Sequence, residues 1–102
     1  MEKRLKIEIP QAGIDAFCKR HGVKRLAFFG SVLRDDFDPG KSDVDVLIEF
    51  EPGKRVGYLG LGAMEVELSK MIGTRVDLRT PSELSRYFRD EVIATAEVRY
   101  AA

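Results

Sequence analysis

The sequence predicts an α/β (α+β) fold, a small mixed β-sheet with its helices packed on one face. Three observations lead there. A buried apolar run at residues 25–29 and stretches with a period of two at 42–50 and 74–80 alternate with stretches of helical period at Gln11–His21 and Tyr58–Ile72. Both helical stretches run into a glycine, Gly22 and Gly73, the residue best suited to the left-handed conformation that closes a helix. Within the strands, apolar side chains fall on one face and carboxylates on the other, so one face is to be covered by helices while the second stays open.

Taken in order, Leu5, Ile7 and Ile9 alternate and predict a short first strand. Ile14, Phe17 and Cys18 stand at helical spacing before His21-Gly22 and predict a helix from about residue 11 to 21. Residues 25–29 read as a buried strand ending at Gly30-Ser31, where the chain must turn. The 38–41 stretch, Asp-Pro-Gly-Lys, is a loop, and the 51–54 stretch, Glu-Pro-Gly-Lys, closes the strand between them. Tyr58, Leu61, Met64, Leu68, Met71 and Ile72 form one helical stripe read as core, or as a partner-facing surface should the helix carry two apolar sides. Residues 74–80 alternate again, with Val76 and Leu78 opposite Arg75, Asp77 and Arg79. Thr80-Pro81-Ser82-Glu83 has the form of a helix start, cap, proline and returning glutamate, and a last helix is expected from about Asp90 to Glu97.

The chemistry resides in the carboxylates. Asp43 and Asp45 interrupt a run that otherwise reads as strand, and Asp is depleted in strand interiors. Val44, Val46, Ile48 and Phe50 point to one side, so Asp43 and Asp45 emerge together on the other. Two like charges so placed repel unless a cation lies between them, and hard oxygen ligands suit Mg²⁺. Without such a role the pair would be the polar face of an edge strand. Gly30 lets backbone approach a phosphate, Ser31 offers a hydroxyl and an amide, and the turn can aim further N–H groups at an anion. Asp77, on the later strand, would complete a two-metal site and help deprotonate an attacking hydroxyl. The reaction implied is nucleotidyl transfer from a nucleoside triphosphate. Arg34 either offsets triphosphate charge or pairs with Asp35, Asp36 or Asp38. Cys18 reads as a buried structural thiol and His21 as a partner for the carbonyl end of its helix.

Composition narrows the alternatives. At 102 residues the chain has the length of a single domain. Seventeen basic residues balance seventeen acidic ones, so no bulk field draws the protein to nucleic acid or anionic lipid, and no direct nucleic-acid binding is expected. One cysteine excludes an internal disulfide, and no apolar stretch reaches the length of a membrane span, which predicts a cytoplasmic protein.

Residues 28–37 and 42–50, with Gly30-Ser31, Arg34 and the Asp43-Val44-Asp45 triplet, followed by Asp77 in residues 75–78, resemble the minimal nucleotidyltransferase (MNT) family of the DNA polymerase β superfamily. The resemblance runs over nearly the whole chain. It implies a polymerase-β-like palm, Mg²⁺, ATP as substrate, and a role as antitoxin to a HEPN-domain ribonuclease toxin, by transfer of AMP to a tyrosine of that partner. Asp43, Asp45 and Asp77 are then the catalytic and metal-binding residues, and Gly30, Ser31 and Arg34 bind the nucleotide. Where many members have Gly after the arginine, this chain has Asp35. Two further readings stand beside this one: a non-catalytic nucleotide-binding antitoxin that acts by occlusion, and transfer to a small molecule or an RNA 3′ end.

Overall fold

The structure is a computed structural model and describes residues 7–38 and 40–102. The order is α1 (Gln11–His21), β1 (Val23–Phe29), a 3₁₀ turn (Gly30–Leu33), β2 (Val44–Phe50), α2 (Tyr58–Ile72), β3 (Val76–Arg79), a 3₁₀ turn (Pro81–Glu83), α3 (Arg89–Thr95) and β4 (Glu97–Ala101). The strands form one mixed sheet in the order β3-β2-β1-β4. β1 runs antiparallel to both β2 and β4, and β2 runs parallel to β3. A parallel pair cannot be joined by a tight hairpin, and α2 supplies the crossover.

The core forms where the two periods predicted it. Leu26, Phe28, Val44, Val46, Ile48, Val76 and Leu78 project from the sheet against Ile14, Phe17 and Cys18 of α1 and Met64 and Leu68 of α2. Both helices end at their glycines in the left-handed conformation, at φ 69° for Gly22 and 84° for Gly73. Cys18 is buried, and burial, helped by Asp15, pushes its thiol pKa up to about 12, which leaves it an inert core residue. Leu68 is fully buried. Leu68→Ala is expected to lower the free energy of unfolding by roughly 2–5 kcal/mol in urea titrations, the cost of lost apolar burial plus the cavity left behind.

Several elements differ from the sequence expectation. Ile7 and Ile9 form no strand but pack against the core as partly buried side chains, and Leu5 lies outside the described residues. The Thr80 helix start closes only one 3₁₀ turn: Glu83 Oε1 accepts from the Thr80 N–H at 2.9 Å, yet no apolar stripe follows to propagate a helix. The last helix ends at Thr95, and Glu97 instead begins β4, an edge strand absent from the sequence reading. His21 does not serve the carbonyl end of α1; its Nε2 lies 3.0 Å from the Glu67 carboxylate of α2, which also pairs with Arg20. Tyr58 is 86% exposed and leaves the apolar stripe, while Leu59 and Val66 are exposed as well, so α2 carries a second, uncovered apolar side.

Candidate active site

The site forms at one end of the three strands β1, β2 and β3. In the parallel pair Asp45 stands directly opposite Asp77, and in the antiparallel pair it stands opposite Phe29, the residue before Gly30. The register therefore brings Asp77, Asp45 and the Gly30 turn side by side across neighbouring strands. Asp43 lies two residues upstream of Asp45, exposed, at the mouth of the strand.

Gly30 has φ +75°, and a Cβ built there would collide with Asp45 Oδ2. A side chain here would be strained and would have to push the Asp45 carboxylate aside. The Ser31 hydroxyl donates to the Asp43 carbonyl over 3.4 Å, a weak bond that leaves it able to turn toward an incoming anion. Arg34, 65% exposed, donates from Nε to Asp36 Oδ1 at 3.2 Å. Of the two expectations for Arg34, the structure displays the pairing with a neighbouring Asp. The same side chain lines a cavity of about 340 Å³ with Gly30, Phe29, Leu33 and Val92.

Charge crowding is visible at Asp45. Burial raises its pKa first, the Asp77 and Asp43 carboxylates raise it further, and Arg79 and Arg34 oppose them. A cation in this place relieves that repulsion. The donor set fits Mg²⁺ in chemistry, since all three groups offer hard carboxylate oxygens. Their present conformation is not a finished cage: among the described residues no three His, Cys, Asp or Glu side chains form a ready metal cluster. Asp77 is instead held by Arg79, whose Nε and Nη2 fork onto its two oxygens at 3.2 and 3.3 Å. Arg75 and Arg79, which sequence reasoning left out of the site, therefore differ: Arg79 engages Asp77 directly, and Arg75 lies beside it without an ion pair among the described residues.

Two residues of α2 that the sequence did not single out fix where Asp77 stands. Glu65 Oε2 accepts from the Leu78 N–H at 2.8 Å, and Ser69 Oγ accepts from the Val76 N–H at 2.9 Å while donating to the Glu65 carbonyl. Four helix residues rise about 6 Å and two strand residues about 6.6 Å, so a helical i, i+4 pair matches alternate N–H groups of a strand running alongside it. Asp77 sits between the two tethered amides. The signal was present as Glu65 and Ser69 on one helix face, but it means nothing until β3 is placed beside α2. Glu65→Ala leaves the Leu78 amide without its acceptor and is expected to cost about 1–3 kcal/mol of stability, measured by denaturant unfolding.

The nucleotidyltransferase domain family matches residues 12–100. A protein of Methanocaldococcus jannaschii named for protein adenylyltransferase activity is 35% identical over 77 residues, covering 76% of this chain and 80% of its own length. A solved structure described as a minimal nucleotidyltransferase superposes with a TM-score of 0.68 at 31% identity, covering 84% of this chain and 85% of the other. A Shewanella oneidensis complex of a tri-AMPylated HEPN toxin with an MNT antitoxin matches at TM-score 0.64 and 14% identity, covering 90% of this chain and 70% of the other, a likeness of fold. With the Gly30 turn beside its paired strand carboxylates and a family match along nearly its whole length, the chain belongs to the nucleotidyltransferase domain family.

Proposed function

We propose that the protein is an Mg²⁺-dependent adenylyltransferase that moves AMP from ATP to a tyrosine hydroxyl of a HEPN-domain ribonuclease toxin and so acts as its antitoxin. The observation that carries this reading is the placement of Asp45 between Asp77 and the Gly30 turn. Support for the nucleotide and the acceptor class comes from the relative named for protein adenylyltransferase activity and from the fold shared with an MNT antitoxin bound to an AMPylated toxin.

In this mechanism the Gly30 turn, Ser31 and Arg34 hold the triphosphate. Asp43, Asp45 and Asp77 would hold Mg²⁺, which when bound neutralises phosphate charge. The acceptor hydroxyl oxygen attacks the α-phosphorus, the bond from that phosphorus to the α,β-bridging oxygen breaks, and pyrophosphate leaves with the bonding pair. The hydroxyl proton passes to Asp77. For that, Asp77 must exchange Arg79 for the acceptor, and the freed guanidinium then lies beside the developing charge.

The test mixes the protein with a HEPN partner encoded beside it, ATP and Mg²⁺, and follows the partner by intact-mass measurement. AMP addition to a tyrosine with loss of ribonuclease activity is expected, and Asp77→Asn should block it while the complex still forms. The occlusion reading draws on one observation, the fork of Arg79 on Asp77. No mass increase, with the toxin silenced equally by wild type and Asp77→Asn, would establish occlusion instead.

A further inference from the structure

The carboxylates are flanked by two cavities that share no lining residue. One, on the α3 side, contains Gly30 and Arg34. The other, about 580 Å³, lies between the C-terminal half of α2 and the start of β3, and opens at Asp43 and Asp77. Its volume is that of sites that take a substantial organic group. The phosphate turn belongs to the first cavity, so the second is left over once the triphosphate has been placed.

Its walls have a definite character. Val66, 55% exposed, gives an apolar wall. Lys70 and Arg75 line it too, and neither has an ion-pair partner among the described residues, unlike Arg34 and Arg79. The Glu65 carboxylate, which also lines the cavity, is committed to the Leu78 N–H, and Ser69 to the Val76 N–H. Asp43 and Asp77 lie at the end where the metal and the reacting hydroxyl belong. The groove thus presents two cations without an ion-pair partner among the described residues, an apolar wall and the group that takes the acceptor's proton.

We propose that this groove between α2 and β3 is the acceptor channel, and that it selects a polypeptide segment whose hydroxyl-bearing residue is flanked by acidic residues. The proposal rests on the reading of the protein as an adenylyltransferase that acts on another protein. The acceptor side chain lies along Val66 with its hydroxyl at Asp77, and flanking carboxylates meet Lys70 and Arg75. The transfer is the one written above: oxygen to α-phosphorus, pyrophosphate released, proton to Asp77. The amides of Val76 and Leu78 are already taken, so the segment is read through its side chains.

The test compares fluorescent peptides carrying one tyrosine flanked by Asp and Glu, by Lys, or by Ser, binding to the full chain with Mg²⁺ and a non-hydrolysable ATP analogue. The acidic peptide is expected to bind about tenfold more tightly than the basic one at low salt, with the difference shrinking as salt is added. Lys70→Glu with Arg75→Glu should reverse that order and leave affinity for the ATP analogue within about twofold of wild type. Equal binding of acidic and basic peptides, or an unchanged order in the double variant, would overturn the proposal. So would a large loss of ATP-analogue affinity in the double variant, because the groove would then hold nucleotide. AMP transfer to the peptides is measured in parallel by mass. Selective binding without transfer would strike the adenylyltransferase reading and leave the groove's selectivity for acidic segments in place.

Discussion

Asp45→Asn is expected to reduce AMP transfer by about a thousandfold or more, since a neutral amide supplies neither the charge nor the ligand strength that a divalent cation requires. Asp43→Asn should act in the same direction. At neutral pH and without metal the Asp45→Asn protein should also melt higher than wild type. Burial, Asp77 and Asp43 raise the pKa of Asp45 in the folded protein. A raised carboxyl pKa means that the stabilising contribution of the neutral form is complete below the ordinary Asp value and is lost as pH rises through the shifted one. The variant escapes that loss. Its advantage in Tm should therefore close as pH falls into the ordinary carboxylate range, and Mg²⁺ should raise the Tm of wild type more than that of the variant. Transfer at the wild-type rate, or a Tm difference independent of pH, would remove Asp45 from the site.

Gly30→Val should be the second most damaging change. It places a β-branched residue at φ +75° and drives its Cβ into Asp45 Oδ2, so two separate costs coincide. The backbone strain alone is about 1–3 kcal/mol. The collision must displace either the turn or the carboxylate, and the proposed mechanism uses both. Transfer should fall by about a hundredfold or more, in line with the sensitivity of catalysis to displacements near 1 Å. Ser31→Ala should cost far less, because its hydroxyl makes only a long bond to the Asp43 carbonyl and an alanine keeps the amide that can face phosphate. Binding of an ATP analogue by calorimetry separates the two. Near-wild-type affinity in both would show that this turn does not hold the triphosphate.

How much of this could be read beforehand depended on how local the cause is. α1 and α2 were bounded correctly because Gly22 and Gly73 stop a helix by their own conformational preference. The face occupied by Asp43, Asp45 and Asp77 followed from strand alternation, again a local rule. The pairing of Asp45 with Asp77 did not, because the register of a parallel pair is set by packing across the α2 crossover. Thr80 and Glu83 formed their reciprocal contact without a helix, since capping needs one turn and propagation needs an apolar stripe. β4 went unread because Glu97–Ala101 is short, lies at an edge, leaves Val98 nearly half exposed and joins β1 through an irregular register. The tether from Glu65 and Ser69 required knowing which helix lies along which strand.

That tether also bears on association between molecules. β3 is an outer strand of the sheet, and the edge of a sheet ordinarily offers a row of unmet amides onto which another chain can add. Here the outward amides of Val76 and Leu78 are consumed within the molecule by two side chains of α2. The β3 edge thereby offers fewer free amides for templated growth, and β4 is the sheet's other margin. A strand carboxylate next to an open sheet edge would risk burial in aggregates; beside Asp77 the neighbouring amides are already taken up by Glu65 and Ser69.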